Sequence, residues 1–144
     1  MILDERTEFC DATSAVLNIG NAIIGDVIDL GATSQDIGNG QPVYLVIQVD
    51  TTFVGTNSTT TFDLCSDSTA NLATSKTTHV STGAIPVASL AAGFTKIIAL
   101  PIEATYERYL GLWETVATAN VTAGKINAFL TTTPAKWTAS PDAL

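Results

Sequence analysis

Hydrophobic and polar positions alternate along this chain in short runs broken by turn residues, and no window of a dozen residues carries a 3.6-residue period. Long helices are therefore not expected. The strand-like runs are Val27–Leu30, closed by Gly31, then Val43–Val49, Thr60–Cys65, Thr77–Ser81, Ala84–Val87, Phe94–Leu100, Arg108–Val116 and Lys125–Thr132. Val43–Val49 is the strongest, apolar on both faces until Gln48, as a central strand of a sandwich requires. Gly-Asn, Gly-Thr-Asn-Ser and Ala-Asn pieces punctuate the runs. About eight short strands in one chain predict an all-β fold, a jelly-roll-like antiparallel β-sandwich. No boundary divides residues 1–133, which read as a single domain. Residues 134–144 hold two prolines and read as an extended C-terminal tail. The Thr-, Asn- and Gly-rich stretch Thr51–Thr61 reads as a long projecting loop.

Composition sharpens this picture. Twenty-three Thr and nine Ser stand against only six Lys and Arg. Threonine is β-branched and suits a half-solvated pleated surface, so the exposed face is expected to be largely hydroxylated. At 144 residues and 46% apolar the chain supports a core of its own, which excludes a wholly disordered protein. The net charge is −8, and six scattered bases make no stripe that could displace counterions, so nucleic-acid binding is excluded. The opening Met1–Arg6 is acidic and lacks an apolar core, so no Sec-type signal is expected. No apolar stretch is long enough to predict a membrane span. Cys10 and Cys65 match no metal or redox spacing; they could pair, but synthesis in a reducing cytoplasm favours two free, buried thiols.

Catalytic chemistry is poorly supported. His79 lies in an alternating Thr-Thr-His-Val-Ser segment and reads as a surface strand histidine, with no marked orienting partner for a general base. No nucleophile-elbow, zinc-protease, phosphate-loop or dinucleotide motif occurs, and no cofactor or metal is expected. The loop Asp36-Ile37-Gly38-Asn39-Gly40-Gln41-Pro42 reads as a shaped connection, with Gly38, Asn39 and Gly40 supplying positive-φ positions and Pro42 opening a strand. It offers too few oxygen ligands for calcium. Asn57-Ser58-Thr59 and Asn120-Val121-Thr122 match the glycosylation pattern by coincidence in a Thr-rich chain. Trp113 reads as a core residue. Arg108, one of two arginines, reads as half of an ion pair at the sandwich rim, with a contact to a partner subunit as the other reading. Lys136 and Trp137 stand on the tail, where a tryptophan either packs back on its own sheet or anchors on a partner.

Taken together, several segments make the chain resemble the capsid cement (decoration) proteins of short-tailed double-stranded DNA bacteriophages. They are Met1-Ile2-Leu3-Asp4, Val27-Ile28-Asp29-Leu30-Gly31, and Asp36 to Tyr44 running into Leu45-Val46-Ile47-Gln48-Val49. Later pieces are Gly83-Ala84-Ile85-Pro86-Val87 with Leu90, Leu100-Pro101, Arg108-Tyr109-Leu110, and Thr122-Ala123-Gly124-Lys125-Ile126. The Thr51–Thr61 stretch and the tail from Pro134 depart from the family pattern. The resemblance implies a jelly-roll protein of the virion, made in the host cytoplasm and seated on the outer capsid surface. Its partners would be the major capsid protein and itself, as a homodimer across two-fold axes rather than a trimer. Arg108, Lys136 and Trp137 are the residues expected to meet partners. An acidic cement implies bases on the shell's outer face and attachment that weakens with salt. The rival class is a carbohydrate-binding or adhesin sandwich, for which Tyr44, Tyr106, Trp113 and Trp137 are the aromatics on which a sugar could stack.

Overall fold

The computed structural model describes residues 4–31, 37–102 and 104–134. After a 3-10 turn over Glu5–Thr7, the described residues form nine strands. These are β1 (Glu8–Ser14), β2 (Gly20–Asp29), β3 (Tyr44–Val54), β4 (Thr59–Asp67), β5 (Thr77–Ser81), β6 (Ile85–Pro86), β7 (Thr95–Ala99), β8 (Tyr109–Ala117) and β9 (Ala123–Thr131). One sheet has the order β1-β9-β3-β7 and the other β2-β8-β4-β5, with the two-residue β6 added to β4. Every strand pairing is antiparallel. Doubling the chain back between β4 and β5 pairs β4 with β5, β3 with β7, β2 with β8 and β1 with β9. Rolling that long hairpin brings β9 beside β3 and β8 beside β4, which is jelly-roll topology.

Alternation decides which side chains fill the space between the sheets. Leu45, Ile47 and Val49 of β3 meet Leu110, Leu112 and Val116 of β8 and Phe62 and Leu64 of β4 in one buried cluster. Val46 and its register partner Phe129 lie on the opposite face and are also buried, so β3 is apolar on both sides as its sequence predicts. At the turn before β3, Gly38, Asn39 and Gly40 all take positive φ, and the Gln41 N–H closes on the Gly38 carbonyl at 2.8 Å. Asp36 lies outside the described residues.

Four readings of the sequence need correction. Thr51–Thr61 is not a long loop: β3 runs on to Val54 and β4 begins at Thr59, leaving residues 55–58 as the connection. Its threonines mark strand faces, with Phe53 and Phe62 turned inward and stacked edge to face at 6.4 Å. Trp113 is not core. The inward positions of β8 are Leu110, Leu112, Glu114 and Val116, so Trp113 lies half-buried on the outer face, its ring under the Lys76 ammonium at 4.3 Å. Pro42 does not open a strand; it is exposed, two residues before β3. Finally, β1 and the first half of β2 carry no run that the sequence marks. Register shifts interrupt β1 twice, so Phe9 and Cys10 are buried side by side, and β2 bulges between Ile24 and Ile28.

Candidate functional site

The chemistry-bearing residues fall into three places. The first is the end of the roll where β2 and β8 meet. Arg108 Nε and Nη2 each donate to Asp29, to Oδ1 and Oδ2, at 2.9 Å, a bidentate pair. The Leu30 N–H donates to the Arg108 carbonyl beside it at 2.8 Å. The guanidinium bond, helped by the Gly31 N–H, holds the Asp29 carboxyl down at about 2. The rim ion pair expected of Arg108 is thus present, and both side chains keep 45% of their surface accessible. Lys136 and Trp137 lie outside the described residues. Beside this pair, an open groove of about 630 Å³ runs along β2, with Arg6, Glu8, Asp26 and Asp29 on its walls.

The second place is the β4–β5 connection, which one carboxylate organises. Asp67 is buried, yet its Oδ1 accepts from the Thr69 N–H at 3.1 Å and the Ser68 hydroxyl at 3.2 Å. Its Oδ2 accepts from the N–H groups of Thr74 and Ser75 at 3.0 Å each. Burial acts to raise this carboxyl, but the Ser75, Thr69 and Thr74 amides outweigh it and hold it below the usual carboxylate range. Asp67→Ala removes the acceptor for both ends of the loop. It is expected to cost about 2–3 kcal/mol and to open residues 68–76 to protease cleavage, read by mass spectrometry of the fragments. Next to this loop, Ser66 Oγ lies 2.7 Å from His79 Nε2 and accepts the Glu107 N–H at 3.1 Å. The His79 ring packs on Tyr106 with centroids 4.2 Å apart, and burial lowers the His79 pKa. A Ser–His pair at this distance is the local geometry of an activated hydroxyl. Here Ser66 is fully withdrawn from solvent, so the pair ties β4 to β5 and to the approach to β8. Among the described residues no group of three His, Cys, Asp or Glu is placed to hold a metal ion.

The third place is Glu114, inside the sandwich at 3% exposure, with the Thr60 hydroxyl donating to its Oε1 at 3.1 Å. Burial pushes its carboxyl up to about 7, against the lowering effect of the Thr60 bond. Cys10 and Cys65 are both free and buried; burial raises both thiols, Cys10 to about 12, so neither is a ready nucleophile at neutral pH.

Comparison with known families places this arrangement. The family model Bbp16 matches residues 11–130, from within β1 almost to the end of β9. The chain belongs to the Bbp16 family. The match takes in nearly all of the jelly roll, with Cys65, Asp67, Arg108 and Glu114; Cys10 lies just before it, and it stops short of Lys136 and Trp137. No curated protein matches the chain. Within this family fold, the aromatics that would serve a sugar-binding surface are dispersed: Tyr106 is core, Trp113 lies under Lys76, Tyr44 is half-buried, and Trp137 lies outside the described residues. Sequence reasoning missed Asp67 and Glu114 as organising residues. Asp67 had a visible signal, an acid closing a strand before Ser-Thr-Ala-Asn; Glu114 had only its place in the β8 alternation.

Proposed function

We propose that this Bbp16-family chain is a capsid cement protein, seated on the outer surface of a tailed-phage head and bridging neighbouring major capsid protein subunits. The observation that carries this reading is where the resembling segments fall. Gly38–Gly40 make the turn into β3, Asp29 and Arg108 pin β2 to β8, and Thr122–Ile126 lead the chain into β9. They build a stiff roll, and a cement acts through stiffness and multiple contacts, needing no reactive centre. Each copy that touches two shell subunits meets the second at high effective concentration, so modest contacts accumulate around the head.

In this reading the shell contact lies at the end of the roll that carries Asp4, Asp29, Asp67, Glu107 and Arg108, where β9 also runs out toward the tail. Attachment through that end is electrostatic and weakens as salt screens it. The test is reconstitution: purified protein added to heads lacking it is expected to restore near-stoichiometric occupancy and to raise the temperature at which the packaged DNA escapes. Occupancy without any gain in heat resistance would sink the reading. Removing Pro134–Leu144, with Lys136 and Trp137, is expected to lower occupancy at least tenfold; undiminished occupancy would remove the tail from the contact.

A further inference from the structure

Each sheet ends in two open strands, β1 and β7 in one and β2 and β5 in the other. Three of these edges are guarded against further pairing. β1 is broken by two register shifts, and β7 has five residues with Lys96 among them. β5 also has five, and the shift in its pairing brings His79 against Ser66. β2 is the longest of the four at ten residues, and its own shift ends at Ile28. At Gly25, β1 closes on β2 so tightly that a Cβ would meet the Phe9 carbonyl. Past that point lies the groove of about 630 Å³, with Arg6 and Glu8 on one side and residues 26–30 on the other. There the Leu30 N–H donates to Arg108 and Ile28 lies opposite Leu110. Alternation then turns the Val27 carbonyl and both backbone groups of Asp29 to the open side. The groove thus joins an open strand edge to the aliphatic side chains of Ile28 and Leu30 and the carboxylates of Glu8 and Asp26.

We infer that this groove takes an extended, basic segment of a shell subunit, which pairs with the end of β2 as an added strand. In such a contact main-chain bonds along the open edge supply affinity, and side chains at alternate positions supply selectivity. A Lys or Arg side chain entering the groove meets Glu8 and Asp26, which outnumber Arg6, while Asp29 is already held by Arg108. The next side chain on the same face of the added strand lies two residues on and meets Ile28 or Leu30. Charge selects the occupant. A second copy pairing through the same edge would set its Asp26 and Asp29 against these, and like charges across a strand pair are destabilising. The chain's own residues 135–144 hold one Lys and one Asp and so offer no net basic charge. The inference deepens the cement reading and rests on it for the source of the segment, whereas the preference for a basic strand is a property of the free chain.

Two measurements test it, the first without heads. An acetylated Lys-Val-Lys-Val-Lys peptide is added to the purified full chain and followed by NMR. It is expected to shift the resonances of residues 26–30 and, at saturation, to slow exchange of the Asp29 amide at least tenfold. It is also expected to bind at least tenfold more tightly than Glu-Val-Glu-Val-Glu. Asp26→Lys is expected to abolish that preference. Asp50→Lys, the same charge change at an exposed position of β3, is expected to keep it. Thermal melts within a few degrees of the wild type confirm that both variants are folded. A Lys peptide that does not bind, or one that binds while the Asp29 amide exchanges unchanged, overturns the inference. The second measurement is occupancy on heads, which Asp26→Lys is expected to lower at least tenfold and Asp50→Lys to leave unchanged. Full occupancy by Asp26→Lys overturns the inference and leaves the cement reading standing. If the Lys peptide pairs with β2 but the wild type ignores heads, the cement reading fails and the strand-binding groove stands.

Discussion

Gly25→Ala is expected to lower the melting temperature by about 10 °C or more. Gly25 sits in the β2 bulge at φ +75°, and a Cβ there would fall on the Phe9 carbonyl and on Cys10 Sγ. Two penalties therefore add. A left-handed conformation costs an L-residue about 1–2 kcal/mol, and overpacking against backbone adds about 1–3 kcal/mol more. The obstruction cannot rotate away, because the nearest atom belongs to the backbone of β1, which is itself tied to β9. Gly93→Ala is the control. It has a similar φ of +89° but nothing within 4 Å of the added carbon, so it is expected to cost only the conformational part. Equal melting shifts for the two variants would show that β1 and β2 are not in close contact at the bulge.

Glu114→Gln is expected to stabilise the protein by up to about 3 kcal/mol at pH 8 and to have almost no effect near pH 4. In the native state the carboxyl sits at about 7, raised from 4.5 chiefly by burial. Between those values the folded chain holds a proton that the unfolded chain has released. Stability therefore falls as pH rises through that window and stays reduced above it. Glutamine keeps the acceptor for the Thr60 hydroxyl but has no proton to lose, so its stability curve lacks that fall. His79 and Asp67 act in the opposite direction. Burial lowers the imidazole and backbone amides hold the carboxylate down, so both withdraw stability as pH falls. Subtracting the wild-type curve from the Glu114→Gln curve, in urea titrations across pH 4–9, cancels those contributions. A flat difference would mean that Glu114 is solvated in the native state.

Strand content was legible where a run kept strict alternation. β5 begins and ends where its pattern predicts, and β3, β4, β8 and β9 are found with shifted ends. β1 was not legible, because its bulges place Phe9 and Cys10 side by side in the core and break the period-two rule on which the reading depends. The Thr51–Thr61 stretch misled because threonine serves equally in loops and on strand faces; only pairing across β9 and β8 distinguishes them. Of the candidate site, the Arg108 rim pair was legible as a class of contact, but not its partner Asp29, 79 positions away in sequence. Trp113 was misplaced in the core because hydropathy favours tryptophan inside, whereas the alternation set by Leu110, Leu112 and Val116 turns position 114 inward and 113 outward.

The amino-acid sequence by itself determined the class: short alternating runs, β-branched hydroxyl side chains and the absence of a helical period leave only a β-sandwich. It also determined the net acidity and the long charge-free stretches. Those properties are local, since propensity, alternation and composition act within a few residues. The tertiary structure alone decided which strands neighbour each other, that Glu114 would be buried with Thr60, and that three connections distant in sequence would meet at Asn120. Such assignments come from long-range pairing in a rolled hairpin, where partners lie scores of residues apart and no local preference encodes them.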